Sequence, residues 1–198
     1  MVFWRRSRKK AVEVSVVGTL KFDEDGNAYV DEQPLSAPAE TAEPPERMAG
    51  ASVYRTADRY VVAPEIGGGG HWVVGRTAAA LPKACAPEQL GRLVLDALAE
   101  SLAQSTSDGQ RDLMRPVLRA AKLRSYRQLL EQSVLGAVHE DGTDLVLTPT
   151  RNAGSTGPDR GFVHLAEQAA KHPRRNRDAT SVGNAVLETL ERCLWRAT

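Results

Sequence analysis

The sequence predicts an α+β domain in which one antiparallel strand–loop–strand–helix unit is used twice, with two connecting helices between the copies. Three observations predict it. The stretch Arg59-Tyr60-Val61-Val62-Ala63-Pro64-Glu65-Ile66 returns 85 positions later as Asp144-Leu145-Val146-Leu147-Thr148-Pro149-Thr150-Arg151, each time an apolar run closed by a small residue and a proline. Each run leads through a glycine-bearing loop to a second short run, His71-Trp72-Val73-Val74 in one copy and Gly161-Phe162-Val163-His164-Leu165 in the other. Each copy then closes on a helical segment, where Gly91 matches Gly183, Val94 matches Val186, Leu95 matches Leu187 and Leu98 matches Leu190. Two copies make a pseudo-symmetric domain rather than a solenoid, which needs about three or more repeats.

Taken in order, residues 1–50 hold a basic tip, a short hairpin and an acidic, proline-rich linker. Val12, Val14, Val16, Leu20 and Phe22 alternate loosely, Asp23-Glu24-Asp25-Gly26-Asn27 supplies a turn, and Tyr29 and Val30 return the chain. Gly26 and Asn27 tolerate the positive φ that a tight hairpin needs. The strand pair is expected to add to the main body. Pro34, Pro38, Pro44 and Pro45 then mark an exposed linker with no core of its own. The duplicated domain fills 51–198, with units at about 51–103 and 134–193.

In the first unit, strands near 52–56 and 59–64 pair around Ala57-Asp58. Pro87 and Glu88 suit the first turn of a helix, where a missing N–H costs little and an acid meets the helix dipole. Leu90, Leu93, Val94, Ala97, Leu98 and Leu102 share one helical face. After a polar break at 104–109, Asp112–Ala121 reads as helix with Pro116 in its first turn. Ser125-Tyr126-Arg127-Gln128 has the capping-box pattern for a second short helix to about Gln132.

In the second unit, strands near 134–139 and 144–148 flank Glu140-Asp141-Gly142-Thr143. Because proline cannot donate to a ladder, the second strand is expected to stop at Pro149, leaving Thr150, Arg151 and Asn152 at its exit. A third strand covers Gly161–Leu165. Asp178 or Thr180 caps the last helix.

Bulk properties bound the function. The chain has 198 residues, 41% hydrophobic and 26% charged, enough for one buried core without metal or disulfide help. Aromatics make up 5%, which argues against a base-stacking platform for nucleic acid. No apolar run reaches the roughly 20 residues of a membrane span. Two cysteines, Cys85 and Cys193, do not form a secreted disulfide framework, and the basic start lacks a clean apolar run and cleavage site, so a cytoplasmic location is expected. The net charge is +1, but residues 1–10 carry five basic groups and no acid, while residues 11–50 carry nine acids against Lys21 and Arg47. Such asymmetry marks either a solvated linker or an interaction segment.

Catalytic and ligand signals are weak. Gly67-Gly68-Gly69-Gly70 lacks the Gly-Lys-Ser/Thr ending of a phosphate loop. His71, His139, His164 and His172 show no metal spacing, although His71 and His164 fall at related strand positions. Cys85 precedes a helix N-terminus, where a thiolate would be stabilised, but no oriented base is signalled. Arg174, Arg175 and Arg177 read as a solvated loop before they read as a phosphate contact. No catalytic, cofactor-binding or metal-binding residue is therefore assigned.

The segment Leu118–Cys193 resembles the immunity proteins of contact-dependent growth inhibition (CDI) systems. The resemblance rests on Leu118-Arg119-Ala120-Ala121, Arg124-Ser125-Tyr126, Leu147-Thr148-Pro149-Thr150-Arg151-Asn152, Arg160-Gly161-Phe162 and the helix Val182–Cys193, with Val53-Tyr54-Arg55-Thr56 similar to the family's first half. It covers about 51–193. Tyr126 stands where the family carries tryptophan, and the acidic arm and basic tip lie outside its pattern. The resemblance implies a cytoplasmic protein that binds and neutralises a cognate toxin domain, often a nuclease, with no catalytic residue and no cofactor. The sparse aromatics and the short basic tip set the further expectation of no nucleic-acid partner and no stable membrane insertion.

Against a basic nuclease surface, Asp23, Glu24, Asp25, Asp31 and Glu32 are the expected toxin contacts, because opposite charges steer encounter. Arg151 and Asn152 can each make several hydrogen bonds, either to the toxin or to neighbouring backbone. Two other readings compete. One is a small hydrolase or nuclease using Cys85 or a histidine, which would require His139, His164 and a lysine to converge. The other is a membrane-face adaptor using Phe3, Trp4 and the basic tip.

Overall fold

A computed structural model describes residues 18–22, 28–32, 48–68, 71–103, 114–156 and 160–195. The chain divides into two compact units, 1–44 and 45–198. In the first, β1 (Gly18–Phe22) and β2 (Ala28–Glu32) pair antiparallel in a register that sets Leu20 opposite Val30. They form their own two-stranded sheet rather than joining the main one, as the sequence reading had them do. The basic tip, the Asp23–Asn27 turn, most of the proline-rich linker and the 104–109 break lie outside the described residues.

The second unit is built on a single eight-stranded sheet. Its path runs β10 (Ala170–Pro173), β8 (Asp144–Asn152), β7 (Val134–Glu140), β3 (Ala49–Arg55), β4 (Arg59–Gly68), β5 (His71–Val74). On the same edge of β4 as β5, β6 (Ala79–Pro82) pairs with its first half; on the same edge of β8 as β10, β9 (Phe162–His164) pairs with its second half. All these pairings are antiparallel.

The duplication is real, and the register carries it. Ala51 faces Pro64 in the first hairpin and Gly136 faces Pro149 in the second, each pair displaced by the same 85 positions. At the seam between the copies, Ala51 faces Val138, Ser52 faces Ala137 and Val53 faces Gly136. Adding 85 to one member of each pair generates the partner of another, so a pseudo-two-fold axis passes through the Ser52–Ala137 pair. Each copy holds four strands rather than the three expected, because β6 and β10 carry no alternating apolar pattern: they read AALP and AKHP, and their residues are half-buried or exposed.

Neither proline ends its strand. β4 continues through Pro64 and β8 through Pro149 to Asn152, which corrects the expected stop at Pro149. In an antiparallel strand the N–H and C=O of one residue point the same way. The Pro64 carbonyl accepts from Gly75 N at 2.6 Å and the Pro149 carbonyl from Leu165 N at 2.9 Å, so both prolines turn their missing donor toward the gap between the two short outer strands. No ladder bond is lost there.

Two helices cover one face of the sheet. α1 (Pro87–Ala103) and α4 (Ala179–Arg192) bury Leu90, Val94, Leu98, Val182, Val186 and Leu190 against Ala51, Val53, Val62, Val138, Leu145 and Leu147. They cross at the matched glycines. A Cβ on Gly91 would lie 1.8 Å from the Ala179 carbonyl oxygen, and one on Gly183 would lie 1.8 Å from the Pro87 carbonyl oxygen. Asp178 caps α4 by accepting from Ser181 N at 3.0 Å.

The opposite face is covered unevenly. The connecting helices α2 (Arg115–Ala121) and α3 (Tyr126–Gln132) pack Val117, Ala121 and Leu129 on Tyr54, Val61, Ala63 and Leu135. Ser125 caps α3 by accepting from Gln128 N at 3.3 Å. The reciprocal half of the capping box reaches one residue further back than expected, since Gln128 Oε1 accepts from Arg124 N at 2.8 Å.

Candidate functional site

Because β8 runs through Pro149, its last three residues become part of a frame. Thr150 Oγ1 donates to the Leu135 carbonyl at 2.6 Å, and the Thr150 and Asn152 backbones bind Leu194, with Leu194 N to Thr150 O at 3.0 Å and Asn152 N to Leu194 O at 2.8 Å. The segment after α4 thus docks beside β8 as a parallel bridge at Arg151. Cys193 Sγ, buried below it, donates to the Leu135 carbonyl at 3.0 Å.

Asn152 is 1% exposed, and its amide is fully used. Nδ2 donates to the carbonyls of Leu130 at 2.5 Å and Ser133 at 2.8 Å, while Oδ1 accepts from Gly154 N at 2.8 Å. The side chain therefore ties the end of α3 to the loop after β8. Arg151, on the adjacent position of the strand, points to the opposite face. It is half-buried. The two residues singled out at this strand end do not share one site through their side chains.

Between the tied elements lies an open hollow of about 340 Å³. Arg127, Leu130 and Glu131 of α3 form one wall, Asn152 the floor, Gly154, Ser155 and Thr156 a second wall, and Trp195 the third. Arg127 Nε donates to Glu131 Oε1 at 2.7 Å across one helical turn. Trp195 is 51% exposed and Leu194 47%, and Tyr126 at the start of α3 is also exposed. Asn152 is among the residues singled out in the sequence, whereas Trp195 and α3's charged pair are not; a tryptophan just past an amphipathic helix was the available signal. Asp31 and Glu32 lie in β2, and Asp23, Glu24 and Asp25 lie outside the described residues.

A second polar cluster sits on the sheet itself. Gly50 is paired with Glu65 on one side and His139 on the other, and its missing side chain lets Glu65 Oε2 reach His139 Nε2 at 2.8 Å across the intervening strand. Ser52 donates to the same carboxylate, and Ser101 of α1 bridges Gly50 N–H and the Glu65 carbonyl. His164 feels both groups: desolvation holds its imidazole below the usual range, the Glu65 carboxylate pulls it up and His139 pushes it down. Register places His164 opposite Thr150 and His71 opposite Gly68, so these two histidines are not equivalent, contrary to the expectation.

Neither a histidine nor a lysine lines the hollow. Burial raises the Cys85 thiol rather than the helix N-terminus lowering it. Among the described residues no group of three or more His, Cys, Asp or Glu could hold a metal, and no helix is long and apolar enough to cross a membrane. The basic run is partly neutralised, with Arg177 on Glu140 at 2.7 Å.

No family model matches the chain, and no curated protein matches it. Solved structures do. One is a protein of unknown function, NMB0488, from Neisseria meningitidis, with a TM-score of 0.61 and 17% identity, covering 77% of this chain and 99% of that one. Another is a chain of the CdiA-CT/CdiI toxin and immunity complex from Yersinia pseudotuberculosis, with a TM-score of 0.57 and 15% identity, covering 74% of this chain and 98% of that one. The chain thus shares its α+β fold with NMB0488 and with a chain of that toxin and immunity complex.

Proposed function

We propose that this protein is an immunity protein that binds a cognate bacterial toxin domain and neutralises it by occlusion, without catalysing a reaction. The observation that carries this reading is the fold it shares, across 98% of the neighbour's length, with a chain from a toxin–immunity complex. The half-exposed Trp195, next to the backbone-bonded Leu194, supports it, since surface tryptophan is a frequent anchor of protein interfaces. The acidic arm, with Asp23, Glu24, Asp25, Asp31 and Glu32, steers a basic toxin surface, and Arg151 adds a contact at the end of β8. Asn152 contributes by fixing the frame. A partner acting on cytoplasmic substrates places the protein in the cytoplasm.

Calorimetry with the toxin domain encoded immediately upstream of its gene tests the proposal. Tight one-to-one binding, together with loss of toxin activity in the mixture, is expected. Absence of binding to a folded, active toxin would refute it.

A further inference from the structure

We infer that the hollow beside Trp195 receives a basic side chain, arginine or lysine, protruding from the toxin domain. This rests on the immunity reading and names the part of the surface that carries it.

The first argument is rigidity. Leu194 is held by two backbone hydrogen bonds to β8, at 2.8 and 3.0 Å, so the following tryptophan is presented from a fixed base although half its surface meets solvent. The floor is equally fixed, because every polar atom of the Asn152 amide is engaged. A pre-formed wall and floor lose little conformational freedom on binding.

The second argument is size. About 340 Å³ accommodates one or two side chains and not a folded element. The third is sign. An indole face carries the negative part of its quadrupole and attracts cations while repelling anions. Of the two charged lining groups, Glu131 is 46% exposed at its side chain and Arg127 77%. Arg127 is paired to Glu131 at 2.7 Å but is the more exposed partner, so an incoming guanidinium or ammonium group from the toxin displaces it from the carboxylate. The hydroxyls of Ser155 and Thr156 add acceptors on the opposite wall.

The experiment titrates the same upstream-encoded toxin domain into the full-length protein and four variants, with thermal unfolding of each variant as the check on folding. Trp195→Ala is expected to weaken binding about 30-fold or more. Glu131→Gln is expected to weaken it about tenfold and Glu131→Lys about a hundredfold, while Arg127→Ala leaves it unchanged or tighter. Position 131 lies on the exposed side of α3, so its variants report even where Trp195→Ala fails to fold.

If the wild-type protein binds and both Trp195→Ala and Glu131→Lys bind within about threefold of it, the hollow is not the contact and the immunity reading stands. If Glu131→Lys binds more tightly than Glu131→Gln, the hollow takes an anion and the inference is overturned. If the wild-type protein does not bind the active toxin, both readings fall together.

Discussion

Asn152 shows how one side chain fixes a surface. It is enclosed, and it satisfies two carbonyls at the end of α3, those of Leu130 and Ser133, that no longer meet solvent. Alanine there strands both acceptors. Each buried, unpartnered polar group costs about 1–3 kcal/mol, so Asn152→Ala should lower unfolding stability by about 2–3 kcal/mol in urea, with an unchanged denaturant slope. A loss under about 0.5 kcal/mol would mean that water replaces the amide. The residue was legible in sequence as one able to make several hydrogen bonds, but its partners were not. They sit 22 and 19 positions away, in α3 and at its C-cap, and only the tertiary path brings them within reach.

At the scale of elements, the crossing of α1 and α4 depends on Gly91 and Gly183. The sequence showed the two glycines as a matched pair, and it showed the apolar face around them; the contact between the glycines was invisible because it is a relation between copies. Ala at position 91 would set a Cβ 1.8 Å from the Ala179 carbonyl oxygen and 2.6 Å from Gly183 N, backbone atoms that cannot move aside alone. The helices must part, uncovering Leu90 and Val182. Overpacking of this kind costs about 3 kcal/mol or more. Gly142→Ala is the contrast. Its φ of +84° is unfavourable for alanine, but nothing lies within 4 Å of the added carbon, so only the backbone term of about 1–2 kcal/mol applies. Chemical denaturation should rank Gly91→Ala well below Gly142→Ala; equal losses would show that the helices relax freely. The same scale explains what was misread. Proline in a strand interior signals a stop unless its bare nitrogen faces a gap, and the gaps at Pro64 and Pro149 are made by β6 and β10, strands too polar to announce themselves.

At the scale of the whole molecule, duplication has been broken where chemistry differs. The pseudo-axis at Ser52 and Ala137 relates Glu65 to Thr150 and His139 to Tyr54. One half therefore carries the hydrogen-bonded Glu65–His139 pair on the sheet, and the other an aromatic contact, Tyr54 edge-on to Phe162 at 5.8 Å, sealed by α2 and α3. Burial drives the Tyr54 phenol above its ordinary range, so it stays neutral at pH values where a free tyrosine ionises. Charge is broken in the same way along the chain: residues 11–50 carry nine acids against two basic groups, although the total charge is only +1. An arm of one sign raises the rate of encounter with a partner of the other sign without adding a packed contact. Replacing Asp23, Glu24, Asp25, Asp31 and Glu32 by their amides should slow association with the toxin domain about tenfold at low ionic strength and flatten its salt dependence, while dissociation stays constant. Stopped-flow mixing across a salt series separates the two rates. An unchanged association rate would remove the arm from recognition, and a faster dissociation would make the arm a contact rather than a guide.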